Sequence, residues 1–360
     1  MITTIVIFIF LLFVLVISHE CGHFFAARAS GIRVEEFGFG IPPRITGFRR
    51  GGTLYSINWL PVGGFVKIFG EEGGSSNDPQ AFGNKSAWVR GSVLLSGIVA
   101  NFILAWILLS AVSMIGLPVS IADNEFASYP DARLTITDIA AGSPAEKANL
   151  KVGDTIEKVA VGAEGVSHPT VHMLQELAHA HTGEFITLTI KHGEVAGTLS
   201  IESRVNPPAG EGPLGIAIDM LRTKKASWYE APIEGARLSW HVGQLTVSGI
   251  RDTIYEVFQG RGGEVQVSGP VGVFFLTQSV REAGFASLLF FVAALSISLG
   301  LFNILPIPGL DGGRFLFLLI EVITGKKISE RASAIIHGIG LVLLLILIAL
   351  ITRLDIKRYF

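Results

Sequence analysis

Residues 2–17 form an apolar run that leads into Ser18-His19-Glu20-Cys21-Gly22-His23, followed by Phe24 and Phe25. A run of this length and character reads as a membrane-spanning helix. On that helix His19 and His23 are four residues apart and share one face. Neutral imidazoles at this spacing can grip one Zn²⁺ from the same side, and the acid after the first histidine can act as general base on the attacking water. Chance is the alternative for so short a pattern. Three ionisable groups inside an apolar span are unfavourable, however, and by default mark a functional site. Cys21 packs as a small hydrophobe and is not counted as a ligand.

The rest of the composition agrees with a membrane protein. Of the 360 residues 49% are hydrophobic and only 16% charged, against about a quarter charged in soluble domains; the mean hydropathy is +0.54. A net charge of −2 gives no basis for a nucleic-acid partner. A single cysteine excludes an internal disulfide. Ala27-Arg28-Ala29 resembles a signal-peptide cleavage site, but the basic n-region is missing, so a retained transmembrane helix is expected.

From Arg28 to about residue 87 the chain is polar and strand-like, punctuated by Gly38, Gly40, Pro42, Pro43, Gly51, Gly52, Pro61, Gly63 and Gly64. Residues 53–60 alternate as a half-buried strand, and 62–68 form a second candidate. An ordinary surface hairpin would account for them. The functional alternative is an edge strand beside the metal, holding an extended substrate by strand addition, with Gly63, Gly64, Phe65 and Val66 as the contacts. The polar run 71–78 reads as a loop. A second span is expected over about 92–117, with Asn101 bonding a neighbouring helix and Ser96, Gly97 and Ala100 permitting close approach. Residues 121–220 read as a soluble α+β domain: strands at 134–139, 154–161, 186–191 and 198–202, a short helix opened by Ser143 and Pro144, and a helix over 170–180. Five of the nine histidines fall there at spacings that fit no metal site. Residues 228–260 have the period of an amphipathic helix, which can lie on the membrane or pack on the core. A third span begins near Phe285 and a fourth covers about 332–351. His337 has no evident partner.

The third span runs into Asn303-Ile-Leu-Pro306-Ile-Pro308-Gly309-Leu310-Asp311-Gly312-Gly313. Prolines and glycines break the helix there, and broken helices at membrane depth line sites. Asp311 is the natural third ligand: two His and one carboxylate leave one tetrahedral position open. The rival reading makes Asp311 a helix N-cap. Lys and Arg in the loops after the first span and before the fourth (Arg28, Arg33, Arg44, Arg49, Arg50, Lys67, Lys85; Lys326, Lys327, Arg331) place those loops in the cytoplasm by the positive-inside rule. The termini and the soluble domain are then extracytoplasmic, although Arg353, Lys357 and Arg358 argue the other way.

Together these motifs resemble the site-2 protease family, in particular its bacterial regulator-of-sigma-E branch. The likeness extends to residues 31–37, 58–67 and Ser268-Gly269-Pro270. The run 142–154 resembles a PDZ domain of the bacterial protease type, with Leu214, Gly215 and Ile216 as its peptide-docking strand, placed late by circular permutation. The branch's best-known members carry two PDZ domains where this chain shows one, and Ile98 stands where the family often has Pro. The resemblance implies zinc bound by His19, His23 and Asp311, one ion per chain, with Glu20 as the base and Asn303 contacting the substrate backbone. It also implies cleavage within transmembrane segments of single-pass membrane proteins, such as anti-sigma factors or signal-peptide remnants. The expected fold is a polytopic α-helical membrane protein of four transmembrane helices, with an inserted α+β PDZ domain and a membrane-associated β-hairpin loop. Its divisions are 1–120, 121–222 (PDZ, taking a C-terminal peptide), 223–282 (helical connector) and 283–360, in the bilayer of the bacterial cytoplasmic membrane. A membrane-anchored PDZ scaffold with a vestigial metal site is the main alternative, and a zinc transporter or sensor a weaker one.

Overall fold

A computed structural model describes residues 2–71, 78–162, 164–193, 195–208, 210–259, 268–326 and 328–359. Most of the polar run 71–78, and Lys327 of the orientation count, lie outside the described residues. The chain divides into two units: Met1–Val112 with Trp228–Phe360, and Ser113–Ser227. These limits differ from the expected 120/121 and 222/223.

The first unit opens with α1 (Ile2–Ala29), followed by β1 (Val34–Arg50), β2 (Thr53–Ile68) and α2 (Ala87–Ile115). The glycines and prolines expected to separate strands instead bend two long ones. Gly40 and Gly63 take φ of +83° and +84°, a region open to glycine, and Pro42, Pro43 and Pro61 carry no N–H to lose. Residues 53–60 and 62–68 are therefore one strand. Gly38 pairs with both Ser56 and Phe65, so the first half of β1 lies between the two halves of β2. The second half of β1 pairs back on the first half of β2, down to Arg50 opposite Thr53. The bend reaches α1 at Phe13, whose ring is 4.8 Å from that of Phe39. The opposite turn reaches Arg28, where a Cβ on Gly51 would lie 3.7 Å from its Nη2. The sheet thus runs along α1 for about 22 Å, at 1.5 Å per residue. α2 starts five residues before the expected span and stops at Gly116, whose φ of +119° ends the helix.

The second unit contains β3 (Leu117–Ser120), β4 (Arg133–Ile139), α3 (Pro144–Lys147), β5 (Thr155–Val161), β6 (Glu164–Ser167), α4 (Val171–Ala180), β7 (Phe185–His192), β8 (Val195–Glu202) and β9 (Ile216–Lys224). The strand order is β3-β9-β4-β5-β7-β8, with β6 on β5. Ile136, Val159, Leu174, Ile186, Leu188 and Met220 form its dry centre. Ser143 caps α3 by accepting from the Glu146 N–H at 3.1 Å, and Asn149 is left-handed at φ +58°. The expected docking strand is displaced: Leu214 and Gly215 precede β9, because Gly215 turns the chain at φ +72°.

The chain returns as α5 (Ala231–Phe258), α6 (Pro270–Glu282), α7 (Phe285–Ile304), α8 (Asp311–Thr324) and α9 (Glu330–Tyr359). The N-terminal half of α5 packs on the core, while Leu245, Ile254 and Val257 further along are exposed. Leu238 and Val242 lie among Ala105, Leu109, Ala293 and Ile297, and the Trp106 Nε1–H donates to the Pro232 carbonyl at 2.8 Å. α6, unforeseen as a separate helix, starts where the Gly272 N–H donates to the Asp355 carboxylate at 2.7 Å. α9 outruns the expected 332–351 because Lys357 and Arg358 sit in its last turn, where cations suit the helix dipole. Among the described residues four helices, α1, α2, α7 and the Arg331–Tyr359 stretch of α9, are long and apolar enough to cross a membrane. The protein is an integral membrane protein.

Candidate metal centre

Three chain segments meet where the two motifs converge. His19 Nε2 and His23 Nε2 are 3.2 Å apart, and Asp311 Oδ2 lies 3.0 Å from the first and 3.1 Å from the second. Both histidines are buried. The Asp311 carboxylate therefore faces the histidine pair. It is not the N-cap of α8: that position belongs to Leu310, and Asp311 is the first helical residue. Among the described residues this is the only His/Cys/Asp/Glu cluster close enough to hold a metal ion.

α2 makes the floor of the centre. Ser96 and Gly22 bring the two backbones together: a Cβ on Gly22 would lie 2.2 Å from the Ser96 carbonyl oxygen. Gly97 sits under the imidazoles, where a Cβ would come 2.3 Å from His23 Nε2 and 2.7 Å from His19 Cε1. His23 Nδ1 is 2.8 Å from the Val93 carbonyl, an acceptor only. That bond places the proton on Nδ1 and leaves the Nε2 lone pair aimed at the centre. His19 Nδ1 is 3.3 Å from the Asn101 amide. Asn101 is fully buried, and among the described residues its Oδ1 has no hydrogen-bond partner. Turning the amide, whose O and N are assigned by such networks, lets Oδ1 accept the His19 Nδ1–H. Both histidines are then held in one tautomer from one helix.

A cavity of about 640 Å³ opens on this centre. His19, Glu20, His23, Asp311 and Arg314 line it together with Gly64, Phe65, Val66 and Lys67 of β2. A Cβ on Gly64 would lie 2.7 Å from Val16 Cγ1 and 3.1 Å from Glu20 Cγ, so strand and helix touch beside the acid. Residues 64–68 pair with β1 on one side, and among the described residues with no further strand on the other. Gly63 stands in open space at the bend and is outside the cavity lining. Asn303 is also outside the lining, its Nδ2 donating to Leu299 O of its own helix at 3.0 Å. Around the rim Arg314 pairs with Glu71, and Lys67 lies 3.2 Å from Glu35. α8 is fixed behind by a two-pronged bond from Arg90 to Glu321 at 2.8 and 2.9 Å.

The sequence reading missed Val93 and gave Gly97 and Asn101 only general roles in helix packing. Their signal is present: 93, 97 and 101 repeat every four residues, as 19 and 23 do, and two such stripes can face each other. His337 has a partner after all, since its Nδ1 accepts the Gly309 N–H at 2.9 Å.

A polytopic helical membrane protein whose core joins an H-E-x-x-H helix to a distant aspartate has the build of a membrane metallopeptidase. The sequence model described as Peptidase family M50 matches residues 7–347. A relative from Clostridium acetobutylicum, named "Putative zinc metalloprotease CA_C1796", is 33% identical over 95% of this chain and 94% of its own length. One from Nostoc sp. with the same style of name is 31% identical over 92% and 90%. Zinc metalloprotease RasP of Shouchella clausii is 27% identical over 99% of both. The chain belongs to peptidase family M50, the site-2 protease family, and is a metalloendopeptidase.

Proposed function

We propose that this chain is an intramembrane zinc protease that hydrolyses peptide bonds within the transmembrane segments of single-pass membrane proteins, anti-sigma factors or signal-peptide remnants being the natural classes. The observation that carries the reading is the Nε2–Nε2–Oδ2 triangle beside Glu20 and an unpaired strand edge in one cavity. A tetrahedral zinc with arms of about 2.0 Å needs donors about 3.3 Å apart, close to the separations here. One Zn²⁺ per chain would be held by His19, His23 and Asp311; once bound it polarises the scissile carbonyl and lowers the pKa of the attacking water. Glu20 takes the proton of that water and delivers it to the leaving nitrogen as the C–N bond breaks. A helical substrate shields its own carbonyls, so it must unwind, and the free edge of Gly64 to Lys67 offers backbone bonds in exchange. Asn303 donates one Nδ2–H to Leu299 O, which leaves its second N–H and its Oδ1 for a substrate backbone.

The second unit reads as a PDZ-type domain. β3 covers β9 only over Leu221–Lys224, which supports an open edge over 216–219 facing α4. Leu174, Ala178, His179, Leu214, Gly215 and Ile216 are among the residues lining the groove between them. A C-terminal peptide suits it. The loop charges favour a multi-pass protein of the bacterial cytoplasmic membrane with both termini and this domain outside. Glu20→Gln tests the whole reading: the purified variant should keep zinc and cleave no transmembrane substrate, and wild-type turnover would sink it. A scaffold with a vestigial site would not need Glu20 in the cavity.

A further inference from the structure

Between residues 332 and 352 of α9, His337 is the only ionisable side chain. An imidazole in so apolar a segment calls for a use. Its partner is the loop that carries Asp311. In residues 305–310 the Leu305 N–H donates to Phe302 O, Ile307 to Leu305 O and Leu310 to Ile307 O, while Pro306 and Pro308 have no N–H. Gly309 remains, at φ +102°, and its N–H goes to His337 Nδ1. That bond ties the loop to α9. The Phe317 ring lies 4.9 Å from the imidazole on its α8 side. One turn further along α9, Gly340 admits the loop itself: a Cβ there would lie 1.9 Å from Pro308 O. From below, Gly312 and Gly313 let the same loop fold onto the start of α8, where a Cβ would meet the Leu305 and Ile307 carbonyls at 2.3 Å. The loop is thus clamped on two sides, two residues from the carboxylate.

We propose that His337 and Gly340 are positioning residues for the metal centre: α9 holds the 305–310 loop so that Asp311 meets His19 and His23. This rests on reading Asp311 as a ligand. Among the described residues the N–H groups of Leu305, Ile307 and Leu310 bond only within 302–310. The His337 bond adds a constraint from a neighbouring helix, as outer partners of metal ligands do.

The test uses the full chain in detergent, loaded with Zn²⁺ or with Co²⁺ as a spectroscopic probe. Metal release to a chelator, Co²⁺ ligand-field absorption, and kcat and KM on a transmembrane substrate are measured for His337→Leu, His337→Asn, Gly340→Ala and Asp311→Asn. His337→Leu should release zinc about 10–100-fold faster, shift the cobalt spectrum and lower kcat with KM unchanged. His337→Asn, whose Oδ1 stands where Nδ1 was, should restore most of each. If His337→Leu does not fold, Gly340→Ala gives the same reading with the imidazole in place. Wild-type release and spectrum in a folded His337→Leu or Gly340→Ala, with zinc lost from Asp311→Asn, overturn the inference. Wild-type zinc retention in Asp311→Asn overturns the metal-centre reading instead.

Discussion

The Asn101 amide lies 3.3 Å from His19 Nδ1, and no other side chain among the hydrogen bonds of the described residues reaches that nitrogen. A buried amide at this place sets which imidazole nitrogen faces His23 and Asp311. Asn101→Ala should weaken zinc binding by about 10–100-fold, and Asn101→Asp, which keeps the acceptor, should recover most of it. Chelator competition on the purified variants decides; unchanged affinity in Asn101→Ala removes Asn101 from the centre.

Gly97→Ala puts a methyl group where His23 Nε2 already stands. Neither helix can retreat easily, because Gly22 and Ser96, the neighbouring positions on each helix, are in backbone contact. The variant should insert and fold but hold less than a tenth of the wild-type zinc, as read by elemental analysis of purified protein. Full occupancy would mean that the α1–α2 spacing yields more readily than close packing suggests.

Gly64→Val separates strand from metal chemistry. Its side chain would press on Val16 and Glu20 and tilt the edge of β2 away from the cavity. Zinc content should stay at the wild-type level while kcat/KM on a transmembrane substrate falls by at least tenfold. An unaffected rate would show that the substrate does not dock on this edge.

Asp355→Ala concerns stability alone. The carboxylate is buried and receives the Gly272 N–H, and removing it strands a donor at the start of α6, a loss of about 1–3 kcal/mol. A thermal melt in detergent should drop by several degrees, with the zinc content of the remaining folded protein unchanged.

For the second unit, a peptide ending in an apolar residue with a free carboxylate should bind the full chain, and its C-terminally amidated form should not. Gly215→Val should abolish binding, since φ +72° and the nearby Ser143 Cβ leave no room for a side chain. Equal binding of both peptides, measured by fluorescence polarisation, would exclude recognition of the terminus.

How much of this was legible in the sequence differs by element. The four spans follow from uninterrupted apolar length, and the histidine pair from a spacing that a helix turns into adjacency. The short helix at Ser143 and Pro144 was readable because caps are local chemistry. The β-hairpin was legible as a strand-like stretch, but its division was not, because its glycines and prolines look the same whether they end a strand or bend it; only the pairing of Gly38 with two partners tells these apart. α6 was hidden since its anchor, Asp355, is 83 residues away. The same holds for His337, whose partner Gly309 is 28 residues distant and offers a backbone N–H, which leaves no mark in the residue letters.

The separation of His23 and Asp311 by 288 positions also bears on how the protein is made. A nascent chain threads into the bilayer from its beginning, so the helix with both histidines is in place long before α8 leaves the ribosome. Until then the pair lacks its carboxylate, and the outer brace on α9 arrives later still. With Asp311 completing the centre as proposed, a product truncated before α8 stays inert.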